Sequence, residues 1–235
     1  MLRALTQREL MRLHVEALFR HDSQGNLLFG NEPSAAEAPR FFLGRTLEGP
    51  VIRFRHDVDA ATKRELEAAA LADFNSGPAL DAPSNPLRYE EILARSAPVK
   101  KMWAGPAFSF ANELSEPTDT ILVTDANAQI LDPFLRDWIP DVPIGQPMFA
   151  LPVGGHAVAV CCSVRLTNGA CEAGVETVPT FRGRGFAARV VAAWALAVRN
   201  SGRVPLYSTS WQNEASRAVA RKLGLLQFGN DMHVT

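Results

Sequence analysis

The sequence predicts an α/β (α+β) protein whose C-terminal part is built on a mixed central sheet with flanking helices, preceded by helices and hairpins. Three observations lead to this fold class. Residues 156–164 are continuously apolar, as in a strand that is buried on both faces. Asn168-Gly169 follows, which is the strongest two-residue signal for a β-hairpin. The spacing of apolar residues over 170–225 then predicts, in order, a strand, a tight loop, a long helix, a strand and a helix.

The first part of the chain is predicted to hold helices and two hairpins. Apolar residues at helical spacing indicate a helix over residues 2–20, with Thr6 and Glu9 placed as a capping box. Asp59 is a candidate cap for a helix from Ala60 to Phe74. The other patterns predict hairpins at 18–29 and 41–55, a proline-rich connector over 78–86, a helix over 87–96, an irregular apolar segment over 100–117, a strand over 121–124, and a helix over 133–139 whose Phe134, Leu135 and Trp138 face a core.

Composition narrows the class of protein. The chain has 235 residues with 24 basic and 25 acidic side chains, so no basic excess indicates a nucleic-acid partner. No apolar run reaches membrane-spanning length, and the charged start lacks the apolar region of a signal peptide. Three cysteines, two of them adjacent, do not form a disulfide framework, which favours reduced thiols and a cytoplasmic protein.

The loop Arg182-Gly183-Arg184-Gly185-Phe186-Ala187 is predicted to be an anion cradle. Glycines let a ligand approach the backbone, and successive N–H groups in such a turn form a concave nest. The following helix adds the free N–H groups and the positive end of its dipole, and two arginines add cations. This chemistry suits a pyrophosphate. The spacing fits neither a Rossmann fingerprint nor a P-loop, because the third glycine and the Gly-Lys-Ser/Thr sequence are missing.

Two motifs at the expected separation resemble those of the GNAT acyl-CoA-dependent N-acyltransferases. The family's loop signature, Gln/Arg-x-x-Gly-x-Gly/Ala, is matched by Arg182, Gly185 and Ala187. Its next motif, an Asn before a helix that ends in Lys-x-Gly-Phe, is matched by Asn213, Lys222 and Gly224, with Leu225 in place of the aromatic residue. The resemblance covers about the last third of the chain. It leads us to place a domain boundary near residue 115, with a helix and hairpin domain of unknown role over 1–115 and a GNAT-like acyl-CoA-binding domain over 116–235.

The resemblance implies transfer of an acyl group, most simply from acetyl-CoA, to a primary amine, with no metal. It assigns backbone groups of Val175, Glu176 and Thr177 to the pantetheine and the acyl carbonyl, and the loop from Arg182 to Ala187 to the pyrophosphate. The pantetheine arm would also meet Asn213, and Ser216 is included in the same cofactor site.

The catalytic groups are less well defined, because two familiar family positions carry Ala220 in place of a tyrosine acid and Ser208 in place of a glutamate. The remaining candidates are Glu172 and Glu176 as base, and Tyr207 or Ser216 as acid or orienting group. Glu176 is expected amid apolar residues on a central strand, where an unpaired carboxylate is costly and would be a better proton acceptor. The alternative for both glutamates is a carboxylate bonded to a neighbouring arginine or to the backbone.

Other conspicuous side chains have plain structural interpretations. His156 is expected in a hairpin, and the cysteines are expected to pack as small apolar residues, although Cys171 could line the cleft. The sequence His56-Asp57-x-Asp59 is interpreted as an exposed loop and helix cap in preference to a metal site. Trp211 is either a core residue or a wall of the acyl site.

Two rival functions remain open at this point. The C-terminal part could be an acyl-CoA-binding module or sensor that has lost its catalytic groups, or the first domain could be a protein-binding element that brings the C-terminal part to a partner. The acceptor would be a small-molecule or peptide amine, and the sequence leaves a homodimer open.

Overall fold

The computed structural model describes residues 5–77, residue 80 and residues 86–235. The predicted connector over 78–86 and the first residues of the predicted helix over 2–20 therefore lie largely outside the described residues. The described helices are α1 Gln7–Leu18, α2 Ala60–Asn75, α3 Leu87–Ala94, α4 Phe186–Asn200 and α5 Glu214–Lys222. The strands are β1 Phe19–His21, β2 Leu27–Gly30, β3 Phe41–Arg45, β4 Val51–Phe54, β5 Met102–Ser109, β6 Ile121–Val123, β7 Met148–Val153, β8 His156–Leu166, β9 Ala170–Thr177, β10 Val204–Ser208 and β11 Leu226–Val234.

The described chain forms two compact units that are discontinuous in sequence. The first unit contains the described residues up to 109, together with 208–214 and 227–235, and the second contains 110–207 and 215–226. The sequence-based boundary near residue 115 stays a prediction. No helix among the described residues has the length and apolar character needed to cross a membrane.

In the first unit, the sheet order is β4-β3-β11-β5. β3 pairs antiparallel with β4 and with β11, so the last strand of the chain is an inner strand of this sheet. Its core is aromatic: Phe41 stacks between Phe54 and Tyr89, with ring centroids 5.6 and 5.5 Å away. β1 and β2 form a separate antiparallel hairpin. The capping box of α1 is confirmed, since Glu9 N–H donates to Thr6 Oγ1 and Thr6 N–H donates to Glu9 Oε2.

In the second unit, the sheet order is β10-β9-β8-β7-β6, and all pairs are antiparallel except β9 with β10. β8 is buried on both faces along its apolar stretch, as its sequence predicted. α4 covers one face, where the Trp194 indole N–H donates to Ser163 Oγ at 3.0 Å. Two 3-10 helices, Ala128–Leu131 and Arg136–Asp141, supply Leu131 and Trp138 to the other face, and Leu135, directly before the second helix, packs there as well. The mixed α/β fold class is therefore confirmed.

Two predicted segments are wrong. The segment over 100–117 contains strand β5 although it includes Gly105 and Pro106. The missing side chain of Gly105 leaves room for the backbone carbonyl of Thr209, and Thr209 N–H donates to Pro106 O at 3.3 Å. This pairing is distant in sequence, so local propensity cannot reveal it.

The predicted helix over 133–139 is helical only in part: a 3-10 helix spans Arg136–Asp141, and a turn comes before it. Pro140 lies inside this segment, and it has no N–H to donate to an α-helical ladder. Leu135 is buried as expected, whereas Phe134 is 52% exposed and does not face the core.

Candidate functional site

The two parallel strands β9 and β10 pair along a short stretch and then part. Ala170, Cys171 and Glu172 pair with Val204, Pro205 and Leu206, and in the described chain no further pair follows. β9 continues to Thr177, and along residues 173–177 its paired neighbour is β8 alone. The other edge of β9 therefore presents backbone N–H and C=O groups to whatever enters the opening.

The predicted anion cradle directly follows this open edge. Gly183 and Gly185 have φ of +77° and +81°, the left-handed region that glycine adopts without strain. Gly185 is the N-cap of α4 and gives it no side-chain cap, so the first N–H groups of α4 have no intrahelical or capping partner. A Cβ added at Gly183 would meet nothing within 4 Å, so the turn is open on that side.

Three cationic side chains belong to the same corner. The Arg182 side chain donates to Thr177 O at 3.1 Å, and the Arg184 guanidinium lies 5.1 Å from the centroid of the Phe181 ring. The third is Lys222, from the last turn of α5: its Nζ lies where a Cβ of Gly185 would be, and its Cε would be 3.2 Å from that atom. Among the described residues, no carboxylate forms a salt bridge with Lys222.

An ammonium group at the positive end of a helix is electrostatically unfavourable unless an anion lies nearby. The corner therefore has the charge distribution of a site for a multiply charged anion. Thr177 adds a second indication, because its Oγ1 is buried and has no hydrogen-bond partner among the described residues. A buried hydroxyl without a partner favours a polar ligand group beside it.

Glu176 does not have the surroundings that the sequence predicted. Its side chain is exposed on β9, so the expectation of burial is wrong. Its partner is neither an arginine nor the backbone: the Trp138 indole N–H donates to Glu176 Oε2 at 2.6 Å. Glu172, the second candidate base, is 2% exposed and lies in the part of β9 that pairs with β10.

The candidate acids are brought together on the other side of the opening. The Tyr207 hydroxyl on β10 lies 2.6 Å from Ser216 Oγ on α5. Burial raises the pKa of Tyr207 to about 12, which keeps the phenol protonated at neutral pH. Asn213 belongs to the first unit, where its N–H donates to Ser210 O at 3.1 Å; its role in a cofactor site stays a prediction.

The remaining singled-out residues have the structural roles that were expected. His156 is exposed next to the β7–β8 turn, with Nδ1 2.8 Å from Asp132 O. Cys161, Cys162 and Cys171 are fully buried. Asp57 pairs with Arg55, and Asp59 accepts from the N–H groups of Ala61 and Thr62 at the start of α2. Among the described residues, no three His, Cys, Asp or Glu side chains are placed to hold a metal ion.

Sequence reasoning missed the roles of Trp138 and Lys222 in this region. Trp138 was expected to be a core residue, and Lys222 was named only as part of a motif. Both contacts join segments that are far apart in the chain, Trp138 with Glu176 and Lys222 with Gly185. No local pattern signals such pairs.

Residues 149–230 match a family model described as GNAT acetyltransferase. The match covers β8, β9, the cradle, α4, β10 and α5, which are the elements that form the site above. The match lies in the part of the chain whose two motifs resemble those of this family, and it confirms that resemblance.

Two solved structures are similar to this chain in fold. A GCN5-related N-acetyltransferase from Kribbella flavida is 15% identical with a TM-score of 0.51, over 98% of this chain and 95% of that one. An acetyltransferase of the GNAT family from Colwellia psychrerythraea is 12% identical with a TM-score of 0.51, over 78% and 75%.

A GNAT-family protein from Novosphingobium aromaticivorans is 16% identical with a TM-score of 0.48; the match covers 58% of this chain and 65% of that one, less than two thirds of its length. At these identities the likeness shows the fold alone. Among curated proteins, none matches the sequence.

Proposed function

We propose that the second unit binds an acyl-CoA, most simply acetyl-CoA, and transfers its acyl group to a primary amine. The observation that carries this proposal is the parting of β9 from β10 immediately before a glycine cradle and an uncapped helix. An extended polar chain with a diphosphate at one end matches this layout, because the open strand edge offers peptide hydrogen bonds and the cradle offers N–H groups and cations.

The residues present fit the coenzyme. The cradle from Arg182 to Ala187 would hold the diphosphate, with Lys222 as an additional cation. The open edge at Val175 and Thr177 would hold the pantetheine amides, and the buried Thr177 hydroxyl could pair with the ligand. The coenzyme supplies a thioester, whose acyl carbon forms a bond to the amine nitrogen as its bond to sulfur breaks.

The protein's own groups handle the protons. An ammonium must lose a proton before it can act as a nucleophile, and we assign the acceptance of this proton to the exposed carboxylate of Glu176. The sulfur takes up a proton as it leaves, for which the paired hydroxyls of Tyr207 and Ser216 are the candidate donors. The second proton that the nitrogen loses on becoming an amide replaces the one that they give. Backbone N–H groups on the open edge of β9 are available to stabilise the oxyanion of the acyl carbonyl.

The second candidate, a binding module without turnover, is favoured by one observation. Ala220 occupies the position of the family's tyrosine acid and is buried, so no proton donor exists there. A complete cradle is compatible with both functions, because binding of the diphosphate does not depend on the catalytic groups.

Two measurements distinguish these functions. Calorimetry with CoA and acetyl-CoA should show binding to the purified protein; an absence of heat with both ligands would remove both candidates. Release of free thiol from acetyl-CoA is then followed with pools of small amines and of peptides with free amino termini. Amine-dependent release supports the transferase, whereas tight binding without release in any pool supports the binding module.

A further inference from the structure

Trp138 forms one short hydrogen bond with the candidate base. Its indole N–H donates to Oε2 of Glu176, with Nε1 and Oε2 2.6 Å apart. Trp138 lies on the 3-10 helix Arg136–Asp141, whereas Glu176 lies on β9 beside the opening. The bond therefore ties the candidate base to a separate segment that packs across the face of the sheet.

The position of the indole ring depends on a glycine two residues before Glu176. A Cβ added at Gly174 would lie 3.3 Å from Cη2 of Trp138 and would also overlap Val164. The bare backbone of Gly174 thus lets the ring lie close on β9. The ring also packs against a buried cluster that includes Leu131, Leu135 and Val142.

The hydrogen bond leaves half of the carboxylate available. Oε2 accepts the indole N–H, and among the described residues Oε1 has neither a hydrogen bond nor an ion-pair partner. A donor on one oxygen fixes the torsions of a side chain that would otherwise sample several rotamers in solvent.

We propose that Trp138 is the positioning residue for Glu176. The indole holds the carboxylate so that Oε1 faces the acceptor and takes one proton from its ammonium group, leaving the neutral amine and a protonated Glu176. This inference rests on the proposed transferase function. It extends that function, because it assigns orientation of the base to a side chain outside the strand and cradle motifs.

The variant Trp138→Phe tests the role, because it keeps an aromatic ring at this position and removes the N–H donor together with part of the ring area. We expect kcat for amine-dependent thiol release to fall about tenfold, while the Kd for CoA in calorimetry stays the same. Glu176→Gln should lower kcat further, and Trp138→Phe in that background should cause no additional loss. Trp194→Phe is the matched control, since it removes an indole N–H that bonds Ser163 in the same unit.

An unchanged kcat in Trp138→Phe, together with a large loss in Glu176→Gln, would overturn the inference and leave the transferase intact. If the unchanged protein binds CoA but none of the tested amines causes release of thiol, the proposed function fails instead. The contact itself is then tested by NMR: Glu176→Gln should shift the indole N–H resonance of Trp138 upfield and leave that of Trp194 in place. No shift at Trp138 would refute the positioning contact independently of turnover.

Discussion

The ammonium group of Lys222 lies against Gly185, where the glycine loop becomes helix α4. The two residues come from different helical elements of the second unit, so a cation from the end of α5 reaches the positive end of α4. No carboxylate pairs with Lys222 in the described chain, which leaves its charge available to an incoming anion.

Gly185→Val should abolish binding of CoA. A valine has to adopt φ near +81°, costing about 1–3 kcal/mol, and its side chain occupies the space of the Lys222 ammonium and the diphosphate. Calorimetry should show at least a hundredfold weaker Kd. Gly202→Val is the matched control, because Gly202 has φ +79° at the other end of the same helix and faces open space. Equal affinity in both variants would place the diphosphate elsewhere.

Lys222→Met should weaken CoA binding about three- to tenfold without abolishing it. An exposed ammonium on a phosphate is worth roughly 1 kcal/mol and is screened by salt. The difference between the variant and the unchanged protein should therefore shrink between 50 mM and 500 mM salt in titrations of affinity. Arg221→Met removes a neighbouring charge of the same helix and should have a smaller effect. If both variants lose affinity equally, the contribution of Lys222 is only general electrostatics.

Asp231 in the first unit makes a pH-dependent contribution to stability. It is buried, with Oδ1 3.2 Å from His14 Nε2 and Oδ2 2.9 Å from His233 Nε2. Burial alone would raise the pKa of Asp231, but the charges and hydrogen bonds of the two histidines outweigh it and lower the pKa below 3.8. A lowered folded-state pKa stabilises the protein above the unfolded pKa, and this contribution is lost as the pH falls through the folded value.

We therefore expect the free energy of unfolding to decrease below pH 4 in part through Asp231, as measured by denaturant titrations between pH 3 and 7. Asp231→Asn should lower stability by about 3–5 kcal/mol at pH 7, because it breaks a buried pair, and should flatten this acid dependence. Asp57→Asn alters a more exposed pair with Arg55 and should change stability by about 1 kcal/mol or less. A slope below pH 4 that is identical in Asp231→Asn and the unchanged protein would exclude this role for Asp231.

The three thiols should be inert in the native protein. Burial raises the pKa of Cys161 well above its usual value and that of Cys162 to about 12, and Cys171 is shifted in the same direction by burial. Since the thiolate is the reactive form, a disulfide reagent at pH 8 should label the native protein slowly and all three cysteines after denaturation. Fast labelling of one thiol in the native state would show that this part of the core opens, and would raise the background of thiol-release assays.

The sequence predicted the parts of the fold that local chemistry determines. The turn Asn168-Gly169, the capping pair Thr6 and Glu9, and the glycines of the cradle each act on their own neighbours in the chain. Apolar continuity likewise identified β8 as a strand buried on both faces, because both of its faces must be covered in any fold.

The rest depends on contacts between distant segments. β5 forms because residues 208–214 pair with it, and its Gly105 and Pro106 taken alone indicate irregular backbone. Glu176 was expected to be buried from the apolar residues beside it, but its side chain is exposed in the folded molecule. The indole partner of this carboxylate lies 38 residues earlier in the chain and is visible only in the folded molecule.

The sheet order of the first unit has a consequence for biosynthesis. β11 lies between β3 and β5, yet residues 110–225 are translated between β5 and β11. At usual elongation rates the ribosome needs roughly 10 s to make that stretch. During this interval β3 (Phe41–Arg45) has no partner on the side that β11 later occupies, so the nascent N-terminal segment presents an unpaired, apolar strand edge.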